Sequence, residues 1–121
     1  MNVLLVENHA DTRTTMKLYL EHHGHQVMTA GTKAEALKAE AAGGCEVLIS
    51  DIGLPDGEGW ELMEQGHFPK PVFAIAMSGY GSRSDYQRSS TAGFRRHMLK
   101  PFDMEVLDEA LEAAEREIGG G

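Results

Sequence analysis

Four short apolar runs in this sequence are each followed by a residue that could take part in chemistry. These residues are Glu7 and Asn8 after the first run, and Asp51, Ser78 and Lys100 after three later ones. Carboxylate and carbonyl oxygens suit magnesium, while an ammonium and a hydroxyl suit a phosphoryl group. A carboxylate can also act as a nucleophile and form an aspartyl-phosphate. Because phosphoryl transfer depends mainly on positioning and charge neutralisation, these residues predict phosphoryl chemistry if the fold brings them together.

The apolar runs alternate with longer segments that carry helix signals. The runs are residues 3–6, 26–30, 47–49, 72–77 and 94–99, and helices are expected at 11–23, 32–43, 58–65, 82–91 and 103–118. Thr32 begins a capping box, and Asp103 is the expected N-cap of the last helix. Continuously apolar strands that alternate with helices favour a doubly wound parallel sheet with helices on both faces. Ligands bind beyond the carboxyl ends of such strands, so the polar residues should meet at one rim.

Length and composition exclude several classes of protein. The 121 residues are enough for one domain, and eleven Lys and Arg against nineteen Asp and Glu give a formal charge of -8. This charge opposes the basic surface of a nucleic-acid-binding protein. The single Cys45 cannot form an internal disulfide, no signal peptide is evident, and no apolar run is long enough to cross a membrane. We expect a cytoplasmic domain over residues 1–118 with a disordered glycine tail at 119–121, and no direct contact with nucleic acid or membrane.

Four stretches, in this order, resemble the receiver domain of a two-component response regulator. They are residues 3–9 (VLLVENH), 48–56 (LISDIGLPD), 77–81 (MSGYG) and 99–101 (LKP). The resemblance covers essentially the whole chain and implies a flavodoxin-like α/β fold with a five-stranded sheet of order 2-1-3-4-5. Residues 50–55 and 78–81 are most similar to receivers attached to hybrid sensor kinases.

The resemblance also implies roles for the rim residues. Asp51 is expected to accept a phosphoryl group from a phosphohistidine of a histidine kinase or a histidine phosphotransfer protein. Lys100 is expected to pair with the phosphoryl oxygens, and Ser78 to hydrogen-bond one of them. The peptide bond between Lys100 and Pro101 is implied to be cis. A chain of this kind is a phosphoacceptor switch and not a turnover enzyme.

The implied Mg²⁺ site differs from the family pattern at one position. Its ligands would be Glu7, Asn8, Asp51 and the backbone carbonyl of Gly53. The family normally has two acidic residues after the first strand, whereas Asn8 offers only a neutral carbonyl oxygen. Because affinity follows the number of charged ligands, we expect Mg²⁺ binding to be weakened or altered, with partial compensation by Glu7.

A second departure lies three residues before Lys100. His97 stands where the family often has a Tyr or Phe that turns inward on activation, and its polarity differs from that of these residues. Together with Arg95 and residues 82–91, His97 is expected to form the surface that shifts on phosphorylation. This surface would bind a downstream protein.

Three other kinds of protein are alternatives to a phosphoacceptor receiver domain. A pseudo-receiver would bind partners without using phosphate; Asn8 favours it, whereas Asp51, Ser78 and Lys100 oppose it. A haloacid-dehalogenase-like phosphatase would need a second Asp where this chain has Gly53. A flavodoxin-like electron carrier would need a Ser, Thr and Gly phosphate cradle that the first loop lacks.

Overall fold

The computed structural model describes residues 1–43, 45–66, 68, 72–79, 87 and 90–119. Its strands are β1 (Asn2–Val6), β2 (Gln26–Ala30), β3 (Val47–Asp51), β4 (Gly53–Leu54), β5 (Gly57–Glu58), β6 (Phe73–Ser78) and β7 (Phe94–Leu99). Five of them form a parallel sheet of order β2-β1-β3-β6-β7, and β4 pairs antiparallel with β5 outside it. The predicted fold and strand order are confirmed, with the β4–β5 hairpin as an addition.

The described helices are α1 (Ala10–His22), α2 (Lys33–Ala41), α3 (Trp60–Gln65) and α4 (Met104–Gly119). At the start of α2, Thr32 Oγ1 accepts a hydrogen bond from Glu35 N–H at 3.1 Å, as the predicted N-cap requires. No helix in the described ranges combines the length and the apolar character needed to span a membrane.

Some predicted helix boundaries were wrong. The third helix begins at Trp60 and not at Glu58, because Glu58 pairs with Gly53 in the β4–β5 hairpin. The last helix continues to Gly119, one residue into the predicted tail, and residues 120–121 lie outside the described part of the chain. Most of the predicted helix at 82–91 also lies outside it.

The sheet is covered by an apolar cluster on each face. Alternate residues of β1, β3 and β6, such as Leu5, Ile49 and Ile75, pack with α1 and α4. The intervening residues, such as Leu4 and Leu48, pack with α2 and α3. Successive residues of a strand point to opposite faces, so continuously apolar strands are what a sheet buried on both faces needs.

The edge strand β7 contains an irregularity that changes which face its residues occupy. Ala74 pairs with Phe94 but Ile75 pairs with Arg96, so Arg95 is an extra residue in β7. A bulge of this kind inverts the alternation of the residues that follow it. His97 therefore pairs with Ala76 and lies on the same face of the sheet as Ser78.

Candidate functional site

The parallel strands bring the predicted site residues to one rim of the sheet. Asp51 is the last residue of β3 and Ser78 the last of β6, while Glu7 and Lys100 directly follow β1 and β7. Glu7 is completely buried and Asp51 is 4% exposed. A cavity of about 510 Å³ opens here and is lined by Asn8, His9, Asp51, Ile52, Gly53, Glu58, Trp60, Ser78, Gly79 and Lys100.

Lys100 binds one oxygen of each buried carboxylate. Its Nζ lies 2.6 Å from Asp51 Oδ1 and also contacts Glu7 Oε1. The backbone holds Lys100 in place, because its N–H donates to Ser78 O at 2.7 Å. The Lys100–Pro101 peptide is cis, as predicted. One ammonium group thus neutralises part of the charge of two carboxylates that are close together.

The other oxygen of each carboxylate faces away from Lys100 and towards Asn8. Asp51 Oδ2 accepts from Asn8 N–H at 3.0 Å, and Glu7 Oε2 accepts from His9 N–H at 3.0 Å. One atom of the Asn8 side-chain amide lies 2.8 Å from Asp51 Oδ2, 3.1 Å from Glu7 Oε2 and 3.3 Å from His9 Nδ1. The hydrogen-bond network assigns the amide nitrogen to this position, from which it donates to both carboxylates. The sequence alone does not predict this donor role.

Burial and close contact shift the pKa values of Glu7, Asp51 and Lys100 in different directions. Burial raises the pKa of Asp51 to about 6, and Glu7 adds to this effect, against the opposite effects of Lys100 and of Asn8 N–H. Burial also acts to raise the pKa of Glu7, but hydrogen bonds with Asp51, Lys100 and His9 N–H hold it below its usual value. The carboxylates outweigh burial at Lys100 and keep its pKa above the ordinary value. The two carboxylates and one ammonium therefore leave a net negative charge above pH 6.

The donor set of the rim fits a divalent cation. Glu7 and Asp51 each present an oxygen on the side away from Lys100, and Gly53 lines the same cavity. Rotation of the Asn8 amide would present its oxygen to a cation between them. In the described ranges no three His, Cys, Asp or Glu side chains form a metal-binding group by themselves. The amide or backbone oxygens would therefore have to complete the set, as hard cations allow.

Ser78 and His97 are in direct contact across two neighbouring strands. Ser78 Oγ lies 2.8 Å from His97 Nε2, and Ser78 is buried while His97 is half-buried. Arg95 is not part of this contact, because its guanidinium pairs with Glu117 on α4 and lies 5.6 Å from the ring centre of Phe73. The sequence predicted both His97 and Arg95 as surface residues of β7, but the structure brings only His97 next to the rim.

His9, the last residue of the stretch 3–9 that resembles a receiver domain, borders the site. Its imidazole Nδ1 lies 3.6 Å from Glu7 Oε2, and its side chain is 74% exposed. Its place next to Asn8 was the only signal in the sequence. The direction of its side chain depends on the tight turn in which His9 N–H donates to Glu7 Oε2.

Comparison with known proteins agrees with this geometry. Residues 3–112 match the family model of the response regulator receiver domain. The transcriptional regulatory protein KdpE of Mycobacterium tuberculosis is 34% identical over 116 residues, which cover 94% of this chain and 50% of KdpE. An uncharacterized 14.6 kDa protein in the sodA1 3' region of Leptolyngbya boryana is 32% identical over 106 residues, which cover 85% of this chain and 81% of that protein.

A solved structure is similar over nearly its full length. The crystal structure of a CheY-like response regulator receiver domain protein from Methanospirillum hungatei has a TM-score of 0.88 at 29% identity, and the match covers 99% of this chain and 98% of that one. The chain spans about half the length of KdpE, so the activity of whole KdpE does not transfer with the match. The matches do not address the hybrid-kinase type, which stays a prediction. The chain belongs to the family of response regulator receiver domains of two-component systems.

Proposed function

We propose that this chain is a phosphoacceptor switch whose phosphorylated residue is Asp51. The observation that carries the proposal is the 2.6 Å contact between Lys100 Nζ and Asp51 Oδ1 at the floor of an open cavity. A carboxylate that is 4% exposed is protected from bulk water but still faces space for a phosphoryl group. The geometry does not favour the pseudo-receiver alternative, since Asp51, Ser78 and Lys100 all line this cavity.

The proposed reaction transfers one phosphoryl group from a phosphohistidine. An oxygen of the ionised Asp51 carboxylate forms a bond to phosphorus as the bond to the donor imidazole nitrogen breaks in line with it. The imidazole leaves with the electron pair, and Lys100 balances the charge on the phosphoryl oxygens. A divalent cation, held by Glu7, Asn8, Asp51 and the carbonyl of Gly53, would supply further charge neutralisation when bound.

The contact between Ser78 and His97 offers a route from the rim to the surface. The Ser78 hydroxyl can turn towards a phosphoryl oxygen on Asp51, which would break its 2.8 Å contact with His97 Nε2. His97 would then take another position on the exposed edge strand. We propose that this change, together with Arg95 nearby on β7, alters the surface offered to a downstream protein. The difference between the contact free energies of the two states determines how far phosphorylation shifts the population from one state to the other.

The partners follow from the family. Receiver domains interact with histidine kinases or phosphotransfer proteins and with downstream targets, and they bind Mg²⁺ at an acidic pocket. The relative KdpE is a transcriptional regulatory protein, and its match to this chain covers 50% of its length. The formal charge of -8 gives no support for direct contact between this chain and nucleic acid. A cytoplasmic location and the lack of turnover activity remain predictions.

Intact mass spectrometry after incubation with a small-molecule phosphodonor tests the proposal. The wild type is expected to gain one phosphoryl group in the presence of Mg²⁺, and Asp51→Asn to gain none. Because a small donor can be slow, the same measurement is repeated with a phosphohistidine-carrying phosphotransfer protein. A wild-type chain that gains no phosphoryl group from either donor would overturn the proposal.

A further inference from the structure

We propose that His9 is an additional ligand of the divalent cation, and that its imidazole nitrogen shifts the preference of the site from Mg²⁺ towards later first-row ions such as Ni²⁺. The inference rests on the proposed function, because it assigns a cation to the same cavity. It concerns the identity of the metal and not the phosphorylation of Asp51.

The inference starts from the atoms that converge on the Asn8 amide. One amide atom has Asp51 Oδ2 at 2.8 Å, Glu7 Oε2 at 3.1 Å and His9 Nδ1 at 3.3 Å as neighbours. His9 Nδ1 is in turn 3.6 Å from Glu7 Oε2. Adjacent ligands of an octahedral ion with bonds of about 2.1 Å lie about 3 Å apart. These four distances are therefore close to the spacing of ligands that share one ion.

Lys100 does not compete for this position. Its ammonium contacts Glu7 Oε1 and Asp51 Oδ1, whereas Asn8 and His9 face the Oε2 and Oδ2 atoms. The carboxylate pair thus has a lysine side and a second side on which oxygen and nitrogen donors meet. Although Glu7, His9 and Asp51 alone do not form a metal-binding group, Asn8 contacts all three and would complete it.

The backbone holds His9 while leaving its imidazole able to turn. His9 N–H donates to Glu7 Oε2, and His9 O accepts from Arg13 N at 2.9 Å. His9 is the N-cap of α1, but its side chain makes no capping hydrogen bond and is 74% exposed. A small rotation towards a cation therefore removes no contact on which the helix depends.

The chemistry of the donors gives the expected metal preference. Carboxylate and carbonyl oxygens suit Mg²⁺, whereas an imidazole nitrogen suits Ni²⁺, Zn²⁺ and Cu²⁺. Asn8 removes a negative charge that would favour Mg²⁺, and a neutral nitrogen donor does not replace that charge. Together, Asn8 and His9 are expected to lower the affinity of the site for Mg²⁺ relative to its affinity for later first-row ions.

The test measures metal binding to the unphosphorylated protein. Trp60 is the only tryptophan of the chain and lines the same cavity, so its quenching by Ni²⁺ or Mn²⁺ reports binding at this site. Mg²⁺ affinity follows from competition with Ni²⁺. We compare the wild type with His9→Gln and with His22→Gln, which removes another exposed histidine at the far end of α1.

His9→Gln is expected to weaken Ni²⁺ binding at least about tenfold and to change Mg²⁺ binding by less than about twofold. His22→Gln should change neither. Pulsed electron paramagnetic resonance of bound Mn²⁺ should show a ¹⁴N coupling in the wild type and in His22→Gln that is lost in His9→Gln. Circular dichroism checks that both variants fold.

Two results would overturn the inference. Equal Ni²⁺ affinity of His9→Gln and wild type, or a ¹⁴N coupling that persists in His9→Gln, would remove His9 from the ligand set and leave the phosphoacceptor proposal untouched. If neither Ni²⁺ nor Mn²⁺ quenched Trp60 in the wild type, the metal site itself would be wrong. Phosphorylation of Asp51 is decided separately by the change in intact mass.

Discussion

Ser78 Oγ lies 2.8 Å from His97 Nε2, so the side chain of the last residue of β6 contacts a side chain of the edge strand β7. Ser78 faces the cavity that contains Asp51, and His97 is half-buried next to the exposed Arg96. The pair therefore lies between the proposed phosphorylation site and the outer surface. A change in the hydrogen bonding of Ser78 would therefore directly change the hydrogen bonding of His97.

Ser78→Ala is expected to separate phosphorylation from the change at His97. The variant should still gain a phosphoryl group on Asp51, since it keeps Asp51 and Lys100, but more slowly because one hydrogen bond to the phosphoryl group is lost. The nuclear magnetic resonance signals of the His97 ring should shift on phosphorylation in the wild type and much less in Ser78→Ala. Ser90→Ala, at an exposed serine, serves as the control. An equal shift in Ser78→Ala and wild type would show that the signal takes another route.

Lys100→Met is expected to destabilise the protein near neutral pH. It leaves two buried carboxylates without their ammonium partner, at a cost of about 1–3 kcal/mol after allowance for the 26% exposure of Lys100. Urea unfolding at pH 8 measures this cost, which should shrink towards pH 5 as Asp51 takes up a proton. Lys33→Met, which removes the ion pair with Glu61, should cost less. A loss at pH 5 as large as at pH 8 would contradict the electrostatic explanation.

Asp51→Asn is expected to stabilise the metal-free protein at pH 8. Folding raises the pKa of Asp51 from 3.8 to about 6, so the folded state binds this proton more tightly than the unfolded state does. The stability that this adds is complete below pH 3.8 and is lost as the pH rises through 6. A neutral Asn avoids the cost of the buried charge, which is up to about 3 kcal/mol.

Chemical denaturation at several pH values checks this prediction. The gain of Asp51→Asn over wild type should be largest above pH 7 and should nearly disappear at pH 4. Mg²⁺ is left out, because a bound cation would offset the same cost in the wild type. A variant less stable than wild type at pH 8 would mean that the ion pair with Lys100 outweighs burial.

Asn8→Asp is expected to tighten Mg²⁺ binding and to weaken the metal-free fold. The new carboxylate adds a charged ligand, which should raise Mg²⁺ affinity about tenfold. It also replaces an amide that donates to Asp51 and Glu7 by a third negative group. Trp60 fluorescence in competition titrations measures the affinity, and thermal unfolding without Mg²⁺ measures the stability. Asn2→Asp, at the other end of β1, is the matched change, and an equal effect there would contradict a local cause.

The sequence was sufficient to predict the main elements of the site. Continuous apolar runs specified strands buried on both faces, and a parallel sheet necessarily brings the residues after those strands to one rim. This places Glu7, Asp51, Ser78 and Lys100 together without any knowledge of side-chain positions. Composition and the order of the motifs were enough to predict the fold, because both are properties of the whole chain and not of any one side-chain position.

Other features depended on details that no local pattern contains. The donor role of Asn8 follows from the positions of two carboxylates that are distant in sequence, and an amide can offer either its oxygen or its nitrogen. The contact between Ser78 and His97 requires the pairing of β6 with β7, which an extra residue shifts. The start of α3 depended on the hairpin of β4 and β5, whose two-residue strands are too short to give a periodic signal.

Because of the extra residue in β7, residues of this one edge strand pack in the apolar clusters on both faces of the sheet. Phe94 and Met98 are four positions apart and would share a face in a regular strand, yet they pack in the two opposite apolar clusters. Arg95 is the residue that divides the strand into these two phases. The faces that Phe94 and Met98 occupy therefore depend on the bulge at Arg95, which the composition of β7 does not show. A regular strand of the same residues, in which Arg95 paired with Ile75, would turn His97 away from Ser78 even though every side chain of the site were still present.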